Sequence, residues 1–274
     1  MRQVGEDNRG IIHPQRGLSR FRLTRVAPAA GLALYVERHW VVEWDLRGRE
    51  PFVQQVLPHP TVHLVVEPER EGVWGVQSRR TSHRLAERGR AVGTKFRPGG
   101  FAPLAQGPVS ELTDRVVPLA EAFGADGREL VRRSRAAEDH HEAIAAHEAF
   151  LLDRLPLRDE RVAEVARVAE AMRRAPPATA LDDLAAGHNL SVRTLQRRFR
   201  DYVGVGPKWV LQRYRLHDAA ERMAAGEVAD WSRLALDLGY FDQAHFVNDF
   251  STAIGTPPAE YAAECAASRE RMAA

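Results

Sequence analysis

Three side chains that can recognise DNA bases stand at helical spacing in the last third of the 274-residue chain. They are Arg193, Gln196 and Arg197. Residues three and four positions apart lie on one face of an α-helix. In the major groove of DNA, arginine binds guanine bidentately and glutamine binds adenine. The pattern therefore indicates base recognition, provided that this segment forms a helix whose opposite face is apolar.

An apolar face and a helix start accompany these residues. Leu195 and Phe199 are four positions apart and form the inner face of the predicted helix. Ser191 precedes it as an N-cap, a residue whose hydroxyl accepts a backbone N–H of the first turn. The side chains that flank the base-reading face suit contacts with DNA phosphates, and they are Ser191, Thr194, Arg198, Arg200 and Lys208.

The same local pattern is written twice in the sequence. The first copy consists of Ala185, Asn189, Ser191, Leu195, Phe199, Gly204 and Pro207, and the second of Ala235, Gly239, Asp242, Phe246, Phe250, Gly255 and Pro258. The offset is 50 residues at the first two positions and 51 at the others, so one residue is inserted just before the second cap. A helix, a tight turn and a second capped helix are the outline of a helix-turn-helix unit. We call these copies the first unit (residues 185–207) and the second unit (residues 235–258).

The second unit has an outer face of a different chemical character. Its predicted reading helix presents Gln243, Ala244, Val247 and Asn248 opposite the apolar pair. Glutamine and asparagine suit adenine, and small apolar side chains can contact the methyl group of thymine. A long helix that starts at Pro207 and ends near Gly226 is predicted to join the two units.

The two units differ more in their charge than in the spacing of their apolar and capping residues. Residues 193–215 hold seven basic residues and one acidic residue, whereas residues 218–264 hold two basic and nine acidic residues. The net charge of the whole chain is only +2, so the bulk charge alone does not indicate a nucleic-acid-binding protein. The first unit is therefore predicted to supply most of the attraction to phosphate.

These motifs resemble the DNA-binding domain of the AraC/XylS family of bacterial transcription regulators. The matching stretches are LSVRTLQRRF at 190–199, RL at 215–216, LGYFDQAHFVNDF at 238–250 and GTPPAEY at 255–261. The resemblance implies two helix-turn-helix subdomains that are joined by a central helix and read adjacent major-groove segments. The sequence departs from the family pattern at Asn248, where many members carry arginine.

The remainder of the chain predicts an α+β protein of two domains. Short apolar runs separated by proline, glycine and charged residues predict a mostly β domain over 17–123, packed as a barrel or sandwich. A helical connector follows over 124–157, and an all-α domain with the two units follows over 158–266. Residues 1–16 are expected to form a disordered leader and residues 267–274 a frayed tail.

The stretch at 95–119 is similar to the cupin-like sensory half found in a branch of this family. That resemblance implies binding of a small effector or a dimer contact. It also raises an alternative function, a metal-dependent cupin-type enzyme that carries a DNA-binding tail. His59 and His63 would lie about 13 Å apart on a strand, too far to share one metal ion, so a structural or pocket-lining role is favoured over metal ligation.

Composition excludes several other classes of protein. The single residue Cys265 cannot form an internal disulfide, no apolar run is long enough to span a bilayer, and the polar N-terminus is not a signal peptide. The sequence therefore predicts a cytoplasmic regulator without a cofactor, a metal or a catalytic role. Its expected partners are double-stranded DNA, RNA polymerase if it activates transcription, and either a small effector or a protein. Whether it forms a homodimer is left open.

Overall fold

The structure is a computed structural model that describes residues 2, 7–176, 179–228 and 230–273. The β-rich part consists of β1 Arg22–Val26, β2 Val36–Asp45, β3 Phe52–Val56, β4 His63–Val66, β5 Glu71–Trp74, β6 Thr81–Leu85, β7 Arg88–Phe96 and β8 Val116–Val117. Six of these strands form an antiparallel sheet in the order β1-β2-β7-β4-β5-β8, and β3 pairs with β6 in a second sheet. Residues of both sheets line one cavity of about 730 Å³, which makes this domain a barrel-like sandwich.

Two tryptophans in this domain are positioned by glycines on the neighbouring strand. In the pairing of β2 with β7, Trp40 lies opposite Gly93 and Trp44 opposite Gly89. A Cβ atom added at either glycine would collide with the indole ring across from it. The glycines therefore let the rings lie flat over the sheet, where both tryptophans line the cavity.

The remaining elements are helices. They are α1 Pro14–Leu18, α2 Leu119–Ala136, α3 His140–Leu152, α4 Glu160–Arg174, α5 Leu181–Gly187, α6 Val192–Tyr202, α7 Pro207–Ala225, α8 Trp231–Asp237, α9 Gln243–Ile254 and α10 Pro258–Ala273. The predicted central helix is α7, which begins with proline at its first turn and ends at Gly226 in a left-handed conformation. No helix in the described part of the chain combines the length and apolar character that a membrane crossing requires.

Each unit has its own apolar core. Leu195 and Phe199 pack with Val165 and Val210 in the first unit. The core of the second unit contains Leu234, Phe246, Phe250 and Tyr261. A third core lies between the barrel and the connector helices α2 and α3, around Leu32, Tyr35, Phe96 and Leu151. The cores are distinct clusters, but they do not divide the chain strictly, because Ile12 and Leu57 of the N-terminal half lie in the core of the second unit.

Two expectations about the chain ends differ from the structure. Residues 7–16 are not a disordered leader, because Ile11 bridges to Val56 and Ile12 is buried in the core of the second unit. The tail is not frayed from residue 267, because α10 continues through it to Ala273. Cys265 on α10 lies in the same core as Ile12. Contacts between distant parts of the chain order both ends, and such contacts leave no local sequence signal. Residues 1, 3–6 and 274 lie outside the described residues.

Candidate nucleic-acid interface

The first unit presents the predicted base-reading residues on one exposed face. Asn189 adopts a left-handed conformation (φ 55°) in the turn, as few residues other than glycine can. Ser191 Oγ then accepts a hydrogen bond from the backbone N–H of Thr194 (3.2 Å) and starts α6. The inner pair is buried. The predicted readers lie together in solvent on the opposite face, and they are Arg193, Gln196 and Arg197.

The phosphate candidates of the first unit separate into two groups. Arg200 and Lys208 are exposed and free to approach a DNA backbone. Thr194 Oγ1 lies 2.9 Å from Ser191 Oγ, so these two hydroxyls form part of the cap. Arg198 forms an ion pair with Glu164 on α4 and is half-buried. The structure thus gives Arg198 a role in fixing α6 to α4, which the sequence pattern did not indicate.

The second unit repeats this construction with a glycine in the turn. Gly239 is left-handed (φ 72°), and Asp242 Oδ1 accepts a hydrogen bond from the backbone N–H of His245 (2.7 Å). The inner pair of α9 is fully buried. Of the predicted readers, Gln243, Ala244 and Asn248 are exposed. Val247 is half-buried and packs against the core, so it presents less surface than the sequence pattern indicates.

Three acidic groups near α9 are engaged by other groups of the protein. Asp249 accepts a hydrogen bond from the Gln212 side chain at 2.5 Å. Asp237 forms ion pairs with Arg233 (2.9 Å) and Arg222 (3.6 Å). These carboxylates therefore turn towards protein partners, and the carboxylate of Asp242 caps the helix. The net charge of the second unit is unchanged by these contacts, but each of the three carboxylates is held by a group of the protein.

The central helix α7 is fastened to the N-terminal domain. Arg213 donates a hydrogen bond to the backbone carbonyl of Ser78 (2.8 Å) and lies over the Trp209 ring. The His217 ring stacks on His59 with ring centroids 4.2 Å apart, and its Nε2 lies 3.3 Å from the carbonyl oxygen of Pro58. Burial lowers the pKa of His217 to about 3, with the Arg213 charge acting in the same direction. The ring is therefore neutral at pH 7, and Nε2 carries the proton because a carbonyl can only accept.

The N-terminal domain also contacts both units directly. Thr113 Oγ1 donates a hydrogen bond to the backbone carbonyl of Gly204, just after α6 (2.8 Å). Arg80 Nη1 donates to the carbonyl of Ile254 at the C-terminal end of α9 (2.7 Å), where the helix dipole favours a positive charge. One domain therefore holds the C-terminal ends of both reading helices and leaves their N-terminal ends exposed.

The barrel cavity combines aromatic walls with polar groups. Trp40, Trp44 and Trp74 line it, and the buried Trp74 Nε1 has no hydrogen-bond partner among the described residues. His59 and His63 both lie at the cavity, which agrees with the second of the two roles, structural or pocket-lining, that the sequence left open. Burial lowers the pKa of His63 to about 3, with the nearby Lys95 charge acting in the same direction. Within the described residues, no group of three histidine, cysteine, aspartate or glutamate side chains is placed to hold a metal ion.

One exposed residue of the second unit was not singled out by its type. Phe241 lies between the turn and the cap, and 91% of its surface is exposed. The sequence signal for it was the single residue inserted before the second cap. The interdomain contacts of Arg80, Arg213 and His217 were also missed, and these residues carry no motif that could have revealed them.

Comparison with known proteins separates the same two parts of the chain. Residues 184–264 match a family model described as a helix-turn-helix domain, and residues 24–118 match one described as a domain of unknown function, DUF6597. No curated protein matches the chain.

The solved structures found to be similar include several of ToxT from Vibrio cholerae. ToxT from strain O395 is 9% identical, with 90% of this chain and 98% of that chain covered and a TM-score of 0.38. Unsaturated fatty acid-bound ToxT from strain SCE256 is 11% identical, with 89% and 91% covered and a TM-score of 0.38. A 1.65 Å structure of ToxT is 10% identical, with 89% and 98% covered and a TM-score of 0.40.

Two capped reading helices, each preceded by a packing helix and a tight turn, define a DNA-binding transcription regulator. The helix-turn-helix domain at the C-terminus is of the AraC type, as the sequence motifs predicted. The predicted order of a β-rich domain followed by an all-α domain is also confirmed.

Proposed function

We propose that the protein binds DNA sequence-specifically by placing α6 and α9 in adjacent segments of the major groove. The observation that carries this proposal is the exposed face of Arg193, Gln196 and Arg197 on a helix whose opposite face is buried. A helix enters the groove when its outer face is free of core residues and carries hydrogen-bonding side chains. The central helix supports the two-site arrangement. Its 19 residues span about 28 Å at 1.5 Å per residue, close to the ~34 Å between successive turns of DNA.

Each reading helix has assigned contacts in this proposal. Arg193 and Arg197 bind guanine, and Gln196 binds adenine. In the second unit, Gln243 and Asn248 bind adenine, and Ala244 contacts a thymine methyl group, with a smaller contribution from Val247. The phosphate contacts come from Ser191, Thr194, Arg200 and Lys208. Arg198 is left out of this set because Glu164 engages its guanidinium group.

The N-terminal domain is the proposed site of control. Its cavity has three tryptophans in its walls and a buried indole N–H that has no partner in the described part of the chain, which together suit a small molecule with a flat apolar body and a hydrogen-bond acceptor. Because the same domain holds both units, a ligand that changes its shape would change the relative positions of α6 and α9. We place the protein in the cytoplasm, where its chromosomal DNA target lies, with RNA polymerase as a partner if it activates transcription.

DNA binding is tested by selecting bound sequences from a random pool and then measuring affinity by gel shift. Arg193→Ala and Arg197→Ala should each weaken binding by roughly 5- to 150-fold, because a bidentate pair is worth about 1–3 kcal/mol. Asn248→Ala should weaken it less, because the second unit lacks comparable positive charge. Each arginine variant should also lose its preference at one guanine position.

A matched control for this experiment is Arg132→Ala. This arginine is 69% exposed on α2 of the N-terminal domain and pairs with Glu129. Its replacement removes the same charge from the chain but should leave DNA affinity unchanged. Unaltered binding by both first-unit variants would show that the reading face has been assigned wrongly.

Effector binding is tested by thermal-shift screening of the purified protein against small molecules. A ligand present at 100 times its dissociation constant stabilises the fold by about 2.7 kcal/mol. Trp74→Phe removes the unpartnered N–H but keeps a ring in the cavity wall. It should abolish or weaken the shift, whereas Trp231→Phe at the start of α8 should not. Equal shifts in wild type and Trp74→Phe would contradict an effector site that uses this N–H.

A further inference from the structure

The single residue inserted into the second unit can be identified from backbone hydrogen bonds. In the first unit, the N–H of Leu190 bonds to the carbonyl of Ala185 (2.9 Å), and the cap residue follows directly. In the second unit, the N–H of Tyr240 makes the same bond to Ala235 (2.9 Å), but Phe241 stands before the cap. Leu190 and Tyr240 are therefore equivalent, and the inserted residue is Phe241.

Phe241 does not contribute to the core of its own unit. An apolar residue immediately before a cap often packs against the residue four positions after the cap. That residue is Phe246, and the Tyr240 ring already covers it at 5.3 Å between centroids. Phe246 is fully buried and Tyr240 nearly so, whereas Phe241 is 91% exposed. The insertion thus exposes a large aromatic ring to solvent, where it does not contribute to the packing of the fold.

The position of the ring is next to the proposed base-reading face. In helix-turn-helix proteins, the N-terminal residues of the reading helix contact the bases. Phe241 lies at that end of α9, and all five residues from 241 to 245 are exposed. Arg80 and the N-terminal domain contact the opposite end of this helix, at Ile254. The exposed ring is therefore on the side of the second unit that approaches DNA.

Because α9 carries no lysine or arginine, apolar contacts are an important source of DNA affinity for this helix. The helix contains no lysine or arginine between Gln243 and Ile254, so it has no cation to pair with phosphate. Contacts with thymine methyl groups require no charge, and aromatic side chains such as phenylalanine make them. An apolar contact is thus a means by which this unit can add both affinity and selectivity.

We infer that Phe241 is a specificity-determining residue whose ring contacts the methyl group of a thymine at the edge of the segment read by α9. This inference rests on the proposed function, because it requires that the second unit enters the major groove. It adds Phe241, two positions before Gln243, to the predicted reading face of that unit.

The inference is tested on the selected DNA site by replacing each thymine in turn with deoxyuridine, which removes only the methyl group. Wild-type protein should lose roughly five- to tenfold in affinity at one position within the segment read by α9, as expected for partial burial of a phenylalanine ring. Phe241→Ala should show that loss on the unmodified site and no further loss on the modified one. The salt dependence of binding should not change, because no phosphate contact is removed.

Leu236→Ala is the matched control, since Leu236 is also an exposed apolar residue of the second unit (61%) but lies on the packing helix α8. It should leave affinity and the deoxyuridine profile unchanged. A Phe241→Ala protein that binds like wild type, or that loses affinity while keeping the full deoxyuridine effect, would overturn the inference while DNA binding by the chain stands. Absence of sequence-specific binding by wild-type protein would overturn the proposed function as well.

Discussion

The two helix-turn-helix units share a construction but differ in the surface that they offer to DNA. Both have a left-handed turn residue, a capping side chain and two fully buried inner residues on the reading helix. The first unit exposes arginines on that helix, whereas α9 exposes amide and small apolar side chains. The residues that form the core of each unit are therefore different from the residues that are predicted to contact DNA.

The surroundings of the charged residues sharpen this difference. In the first unit Glu164 engages one arginine, Arg198, while the readers remain exposed. In the second unit, Asp237 and Asp249 are engaged by arginine and glutamine side chains of the protein. These contacts leave the net charge of the second unit unchanged, but they direct the two carboxylates towards protein partners.

The largest effect on stability is expected from the inner phenylalanines, which occupy equivalent positions in the cores of the two units. Phe199→Ala and Phe250→Ala should each lower the free energy of unfolding by about 3–5 kcal/mol, because each leaves a cavity at a side chain with no exposed surface. Denaturant unfolding monitored by circular dichroism measures this loss. Because both rings occupy equivalent places, the two losses should agree to within about 1 kcal/mol, inside the range expected for such substitutions.

The same substitution at an exposed ring provides the control. Phe241→Ala should change the free energy of unfolding by less than about 0.5 kcal/mol. A loss at Phe250 that is less than half of the loss at Phe199 would show that the two cores are not equivalent, and the comparison between the units would then fail at the level of folding.

Much of the C-terminal domain could be predicted because its determinants are local. The caps Ser191 and Asp242, the turn residues and the spacing of the inner residues all act within a few positions of one another. The limits of the long central helix could also be predicted from Pro207 and Gly226, since proline and glycine mark helix ends by backbone geometry.

The parts that could not be predicted depend on contacts between distant residues. The ion pair of Arg198 with Glu164 spans 34 positions, and the bond from Arg213 to Ser78 spans 135. Neither separation leaves a periodic signal. The order of the N-terminal residues has the same origin, because Ile12 is buried only when the second unit packs against it. Local patterns therefore predicted the reading helices but not how the N-terminal domain holds them.

A smaller effect is expected from exchanging the two capping residues. Ser191→Asp and Asp242→Ser should each change the free energy of unfolding by only a few tenths of a kcal/mol, because serine and aspartate cap helices almost equally well. DNA affinity should move in opposite directions, since a carboxylate at this end of a helix repels phosphate. An exposed charge pair is worth up to about 1 kcal/mol, so Ser191→Asp should weaken binding roughly two- to fivefold and Asp242→Ser should strengthen it by a similar factor.

The double exchange separates the contributions of the two units. If both reading helices approach the phosphates, the variant with both substitutions should bind DNA close to wild type, and the two effects should add because the sites lie in different units. Each effect should shrink as salt is raised, because added ions screen exposed charges. A loss from Ser191→Asp without a gain from Asp242→Ser would contradict a DNA-contacting second unit. The first unit alone would then hold the operator, and the exposed face of α9 would have to serve another partner.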